Sequence, residues 1–186
     1  MSSTRAETTF QMIPYKPDPP IAIDGKTGDW QAVSSAWECA PETTARAAWR
    51  GEALFLAVES KADRPQPVFL AVDNGLENGT HLLRFDPAAT PPSITTILPE
   101  GAVTTDIHAA AERGEQAWAL ETSIPWATLG GLEARAGQVF RLSVSLTNGP
   151  LPENTAIPTV LLTGADGTLN DAPPLAQLFT EEQIPP

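Results

Sequence analysis

Glu121 lies between two tryptophans in the stretch WALETSIPWATLG, residues 118–130. A carboxylate on a strand serves either as a general acid or base, or as an acceptor for backbone and hydroxyl donors. Acid or base chemistry needs a partner group within hydrogen-bond reach, and the spacing of the sequence identifies none. Trp118 shares a face with Leu120 and is interpreted as core. We therefore predict that Glu121 belongs to the scaffold.

A second group of polar side chains lies in DNGLENGTH, residues 73–81. Asp73, Asn74, Glu77 and Asn78 offer the hard oxygen ligands that calcium prefers. The loop lacks EF-hand spacing, and its two Asn-Gly pairs are equally typical of a plain turn that needs positive φ. A structural calcium site and an ordinary loop therefore remain as alternatives, and the loop is the simpler interpretation.

The two histidines, His81 and His108, each lie on a predicted strand with apolar neighbours. This placement favours structural roles for both. The sequence contains no Ser-His-Asp order, no Gly-rich phosphate loop and no His-x-x-x-His pair. We therefore predict that the protein is not an enzyme.

Charge and composition exclude several classes of partner. Eleven Lys and Arg against 23 Asp and Glu give a formal net charge of −12, which repels nucleic acid and anionic lipid. Cys39 is the only cysteine, so an intrachain disulfide and a cysteine-built zinc site are excluded. No apolar run is long enough for a membrane span or a signal peptide. We expect a soluble chain, and the localisation stays open because the mature part of an exported protein would look the same.

Short apolar runs recur about every ten residues between Gly, Pro, Asn and Asp, which is typical of an all-β sandwich. The predicted strands are residues 20–23, 44–49, 53–60, 67–73, 80–85, 93–98, 103–110, 116–122, 138–148 and 157–163. One helical turn is predicted in PWATLG, after Pro125. The predicted fold class is a single antiparallel β-sandwich with little helix.

Two strands carry the clearest patterns. In VFRLSVSL, residues 139–146, an apolar residue alternates with a polar one, which predicts that Phe140, Leu142, Val144 and Leu146 face the core. In ALFLAVES, residues 53–60, both faces are apolar as far as Glu59, which predicts a central strand covered on two sides. The predicted organisation is a Pro-rich arm over 1–20, the sandwich over 21–180 and a frayed tail over 181–186.

Four segments, in this order, resemble the family 9 carbohydrate-binding modules and the broader DOMON-like sandwiches. They are IAIDGKTGDW (21–30), ARAAWRGEALFLAVESKAD (45–63), VFLAVD (68–73) and WALETSIPWATLGGLEARAGQVFRLSVSLTNG (118–149). The first and last are the most specific. In the first, Asp24-Gly25 supplies a tight turn and Trp30 is expected to close one end of the sandwich. The resemblance implies a jelly-roll-type, DOMON-like β-sandwich.

Glycan-binding members of this family hold a sugar ring against loop aromatics, with polar side chains on its hydroxyls. Four of the five tryptophans fall on the family's structural positions, which leaves Trp37. The resemblance therefore implies a weak carbohydrate site at Trp37, with Glu38 and Arg64 as neighbouring polar groups. The segment before Phe69 and the late loop NGPLPENTAIPT carry no loop aromatic, which is a departure from the family pattern.

The leading hypothesis is a non-catalytic carbohydrate-binding domain with a glycan ligand. The first alternative is an interaction or structural domain that lacks the sugar site and binds a protein partner. The third hypothesis is a DOMON-like haem-binding electron-transfer domain, for which His81, His108 and Met12 are the available ligand types. Structural calcium and a secreted or periplasmic location are further implications of the resemblance.

Overall fold

The computed structural model describes residues 11–16, 21–33, 35–75, 79–100, 106–131, 134–146 and 159–163. These residues form two β-sheets and two short 3-10 helices, η1 (Thr27–Ala32) and η2 (Trp126–Leu129). The strands are β1 (Gln11–Pro14), β2 (Ala36–Ala40), β3 (Thr43–Trp49), β4 (Ala53–Ser60), β5 (Val68–Asp73), β6 (Thr80–Asp86), β7 (Ser93–Leu98), β8 (His108–Arg113), β9 (Trp118–Pro125), β10 (Val139–Leu146) and β11 (Thr159–Thr163). The predicted all-β class is confirmed.

The six-stranded sheet has the order β1-β11-β10-β5-β6-β7, and the five-stranded sheet has the order β2-β3-β4-β9-β8. In the described part of the chain, the named strands pair antiparallel except for β1 with β11, which is parallel. An isolated parallel bridge also joins Tyr15 to Trp49. The predicted antiparallel β-sandwich therefore has one parallel pair of strands, at the edge of the six-stranded sheet. Here a segment from the predicted arm runs in the same direction as the last described strand.

The core lies between the two sheets and follows the alternation of the strands. Phe140, Leu142 and Val144 are buried in it, and Leu146 packs against it half-buried, as the VFRLSVSL pattern predicts. β4 occupies the centre of its sheet, and its residues Ala53 to Val58 are all buried. The prediction that ALFLAVES is covered on both faces is therefore confirmed.

The observed strands differ from the predicted ones in three places. Residues 21–23 form no strand, whereas residues 11–14 and 36–40 form β1 and β2, which the sequence analysis did not predict. The predicted turn after Pro125 is confirmed as η2, which ends at Gly130 with a φ of 78°. None of the helices in the described ranges is long and apolar enough to cross a membrane.

Trp49 joins the two sheets at one edge of the sandwich. Its indole N–H donates to the carbonyl oxygen of Thr163 on β11 at 2.8 Å. Its own carbonyl oxygen accepts from the backbone N–H of Lys16 at 3.0 Å. The ring of Tyr15 meets it edge to face with 5.0 Å between centroids. The segment that follows β1 is thereby held to both sheets.

Candidate functional site

The outer face of the five-stranded sheet is covered by the segment Ile21–Val33. Trp30 is fully buried there against Phe55 and Ala57 of β4, in a second apolar cluster separate from the main core. The expectation that Trp30 closes one end of the sandwich is wrong. The outward face of β4 is apolar, so the indole covers that face instead.

Glu121 holds this covering segment in place. Its Oε2 accepts from the backbone N–H groups of Asp24 at 3.0 Å and Gly25 at 2.7 Å, and its Oε1 accepts from Trp30 Nε1 at 2.8 Å. Burial raises the pKa of the carboxyl above its ordinary value, while these three donors oppose the rise. Glu121 is therefore an acceptor for backbone donors, as its scaffold assignment required, and the indole is a partner that the sequence did not predict.

Gly25 is needed where the covering segment crosses β8. Its φ is 87°, and a Cβ at this position would lie 2.9 Å from the backbone C of Ala111 and 2.9 Å from the backbone N of Glu112. A side chain would therefore meet both a strained backbone and a clash with main-chain atoms that cannot move aside.

We expect Gly25→Ala to lower the free energy of unfolding by about 2–4 kcal/mol, the sum of the two costs. Gly28→Ala is the matched control, because nothing lies within 4 Å of its added Cβ. Urea denaturation of the two variants measures the difference. Equal stability of the two variants would contradict the close packing of Gly25 on β8.

Next to the covering segment, an open cleft crosses one end of the five-stranded sheet, with a volume of about 480 Å³. We call it the sheet-end cleft. Its lining residues are Glu42, Thr44, Glu59, Ser60, Lys61, Glu112, Arg113, Gly114, Ala117, Trp118 and Ala119. The volume lies within the range of about 300–1,000 Å³ that small-molecule sites occupy.

Strand register gives the sheet-end cleft its shape. Thr44, Glu59, Ala119 and Glu112 lie side by side across β3, β4, β9 and β8. Two strand spacings separate the backbones of Glu59 and Glu112, which is about 10 Å. The small side chain of Ala119 lies between them, so the two carboxylates flank a trough. Gly114 and Ala117 line the hairpin end of the trough, and their lack of a large side chain leaves that end open.

Two side chains of the cleft are fixed by partners outside it. Glu59 forms an ion pair with Arg46 at 3.5 Å and accepts a hydrogen bond from the Thr27 hydroxyl on η1. Arg113 donates to three successive carbonyl oxygens after β6, those of Pro87, Ala88 and Ala89. The walls of the cleft are therefore held from both sides.

Trp118 also lines the cleft, with 3% of its surface exposed. Its Nε1 is buried and has no hydrogen-bond partner. A buried donor without a partner costs about 1–3 kcal/mol. Trp118 alternates with Ala119 on β9, so its indole packs in the main core, on the face of the sheet opposite to the trough.

The structure separates the residues of the predicted sugar site. Trp37 lies on β2 opposite Ala45, and its half-buried ring packs against the main core. Glu38 is the next residue on the strand and is exposed, so the two side chains project to opposite faces of the sheet. Arg64 is exposed in the connection between β4 and β5. The assignment of these three residues to one site stays a prediction.

The predicted calcium ligands lie partly within the described residues. Asp73 accepts from the backbone N–H of Gly75 at 2.8 Å and from the guanidinium of Arg141. Asn74 contacts the carbonyl oxygen of Leu129 at 3.5 Å. Glu77 and Asn78 lie outside the described residues. Within the described ranges, no group of three His, Cys, Asp or Glu side chains is placed to hold a metal ion.

The three candidate haem ligands lie on different parts of the sandwich. Met12 is exposed on β1 and His81 is buried on β6, four strand positions away in the same sheet. That spacing is about 19 Å, too far for both to bind one iron. Burial lowers the pKa of His81. His108 is exposed on β8 of the other sheet, so the structure does not bring these side chains together.

Comparison with solved structures identifies the fold. A family 9 carbohydrate-binding module from Caldicellulosiruptor kristjanssonii, solved in complex with cellotriose, matches with a TM-score of 0.64 and 11% identity over 96% of this chain and 98% of that chain. A family 9 module from the same organism, solved in complex with glucose, matches with a TM-score of 0.61 and 12% identity over 82% and 96% of the two chains. The predicted resemblance is thus confirmed for the fold. No family model and no curated protein sequence matches the chain.

Proposed function

We propose that this chain, which has the fold of the family 9 carbohydrate-binding modules, is a non-catalytic domain that binds a short glycan in the sheet-end cleft. The observation that carries the proposal is the trough between Glu59 and Glu112, floored by Ala119. A sugar ring fits between two carboxylates that accept from its hydroxyls, with Lys61 as a donor at the rim.

Binding in this cleft is expected to be weak. All five tryptophans lie in the described residues, and four of them are at most 6% exposed while Trp37 is half-buried. The described part of the chain therefore offers no exposed ring on which a sugar could stack. Hydrogen bonds to hydroxyls compete with water and contribute little net affinity. We expect a Kd on the order of 0.1–1 mM.

A variant that fills the trough tests the proposal. Ala119→Leu places a branched side chain between Glu59 and Glu112, and we expect it to weaken the binding of cello-oligosaccharides at least tenfold in a ¹⁵N-HSQC titration. Ala127→Leu, at an exposed position on η2, is the matched control and should bind like the unmodified protein. Retention of full affinity by a folded Ala119→Leu variant would contradict the proposal.

Trp37→Ala distinguishes the cleft from the site predicted by the sequence. If the sheet-end cleft binds the sugar, this variant loses some stability, because the ring packs on the core, and keeps its affinity. If instead Trp37, Glu38 and Arg64 form the site, Trp37→Ala loses sugar binding and Ala119→Leu keeps it.

The absence of an exposed aromatic side chain among the described residues also favours the alternative function, that of an interaction domain. In that case the sandwich has lost the sugar site and serves as an interaction domain with a protein partner. Absence of any binding to cello-oligosaccharides, xylo-oligosaccharides and amino sugars at 10 mM, on the order of ten times the expected Kd, would favour this alternative.

A further inference from the structure

The covering segment and the sheet-end cleft meet at Glu59. One oxygen of its carboxylate, Oε1, accepts from the hydroxyl of Thr27 at the start of η1. The other oxygen, Oε2, pairs with Nε of Arg46 at 3.5 Å. The guanidinium of Arg46 also donates to the carbonyl oxygen of Val33 at 3.5 Å, at the end of η1. Both ends of η1 are therefore linked to one wall of the cleft.

These links leave Glu59 able to bind a ligand. Its side chain is 40% exposed, and a carboxylate offers about four acceptor positions, of which Thr27 and Arg46 engage two. Because the carboxylate is held at both oxygens, a ligand does not have to order it, and the entropic cost of binding falls. Without the hydroxyl of Thr27, the carboxylate would be freer to turn, for instance toward Lys61, a cation that lines the same cleft.

Thr27 belongs to the covering segment, whereas Glu59 belongs to the trough. An interaction between the two makes the state of one depend on the state of the other. We propose that Thr27 is a positioning residue for the glycan site, which holds Glu59 in its ligand-binding orientation and couples the docking of the covering segment to the affinity of the cleft. This inference rests on the proposed function, and Thr27 itself does not line the cleft.

Two substitutions of Thr27 separate positioning from packing. Thr27→Val keeps the shape of the side chain and removes the hydroxyl, and we expect it to weaken the binding of cello-oligosaccharides about threefold, the cost of ordering one long side chain on binding. Thr27→Ser keeps the hydroxyl and should bind like the unmodified protein. If only the packing of Thr27 mattered, the serine variant would be the weaker binder, because it lacks the methyl group. Gly28→Ala, at the next residue on η1, is the matched control, because nothing lies within 4 Å of its added Cβ.

The coupling also predicts an effect in the other direction. If undocking of the covering segment weakens sugar binding about threefold, saturating sugar must favour the docked segment by the same factor. The backbone N–H of Gly25, which donates to Glu121 at 2.7 Å, reports on docking. Its protection from hydrogen exchange should rise about threefold when cello-oligosaccharide saturates the unmodified protein, and should stay constant in Thr27→Val. The N–H of Gly131, which donates to Trp126 at 3.0 Å outside the covering segment and the cleft, is the internal control.

The outcomes separate the two proposals. Equal affinity of Thr27→Val and the unmodified protein overturns the positioning role and leaves glycan binding in place, as does an affinity that Thr27→Ser fails to restore. A protection that rises equally at Gly25 and Gly131, or at neither, overturns the coupling. Sugar binding by none of these proteins overturns the proposed function, and the positioning role with it.

Discussion

Glu121→Ala is expected to lower the free energy of unfolding by about 3–5 kcal/mol. The change leaves three donors without their acceptor, the N–H groups of Asp24 and Gly25 and the indole N–H of Trp30. Each unpaired buried donor costs about 1–3 kcal/mol, and entry of water reduces the sum. Loss of the anchor should also expose the apolar outer face of β4. Urea denaturation followed by tryptophan fluorescence measures the effect.

Glu121→Gln separates the carboxylate's hydrogen bonds from its size. Glutamine keeps one acceptor oxygen and places an NH₂ donor where the other oxygen stood. We therefore expect its free energy of unfolding to lie between those of the unmodified protein and Glu121→Ala. Glu115→Ala, an exposed change in the β8–β9 hairpin, should be nearly neutral. Because Glu121 is buried beneath the covering segment, its glutamine variant should also keep nearly the same sugar affinity. A normally folded variant that lost all binding would contradict the scaffold role.

Trp126→Ala and Trp118→Ala are each expected to cost about 3–5 kcal/mol, the usual loss on removing a large buried aromatic. Trp126 packs edge to face on Phe140 with 6.0 Å between centroids, and its Nε1 donates to the carbonyl oxygen of Arg50 at 2.8 Å. Trp118 lies in the same core. Thermal and urea unfolding of the two variants would measure these losses.

The phenylalanine variants of the same tryptophans form a matched pair. Trp126→Phe removes a hydrogen bond as well as volume, whereas Trp118→Phe removes volume and a donor that has no partner. Trp126→Phe should therefore be the more destabilising by about 1 kcal/mol. A larger loss of stability in Trp118→Phe would mean that the N–H of Trp118 is bonded in solution, for instance to a buried water.

Much of the sandwich could be predicted because its central strands carry clear local patterns of apolar and polar residues. β10 alternates because one of its faces is buried, and β4 is apolar over most of its length because both of its faces are buried. Burial favours an apolar residue at each such position. The edges carry weaker signals. β2 is five residues long with a register shift between Glu38 and Ala40, and β1 is an edge strand that ends in Pro14. Short or interrupted edges of this kind leave little periodicity to detect.

The role of Glu121 could be predicted as scaffold, but its indole partner could not. Trp30 and Glu121 are 91 residues apart, and only the fold of the covering segment brings them together. The sheet-end cleft is likewise formed by residues that are far apart in the sequence and that only the fold brings together. Its residues come from the β2–β3 turn, the end of β4 and the β8–β9 hairpin. Strand register places them side by side, and no spacing in the sequence signals it.

The parallel pairing of β1 with β11 makes the order of synthesis matter. Gln11–Pro14 has its partners at Val160–Thr163, so β1 cannot join its sheet until almost the whole described chain has left the ribosome. β3 can pair with β2, and β4 with β3, long before that, because only a few residues separate the strands of each pair. A pairing between residues nearly 150 positions apart carries a large loop-closure entropy. The contacts of Tyr15 and Lys16 with Trp49 can form earlier and hold this segment near its place. The first of the described strands can therefore complete its pairing only after the last of them has been made.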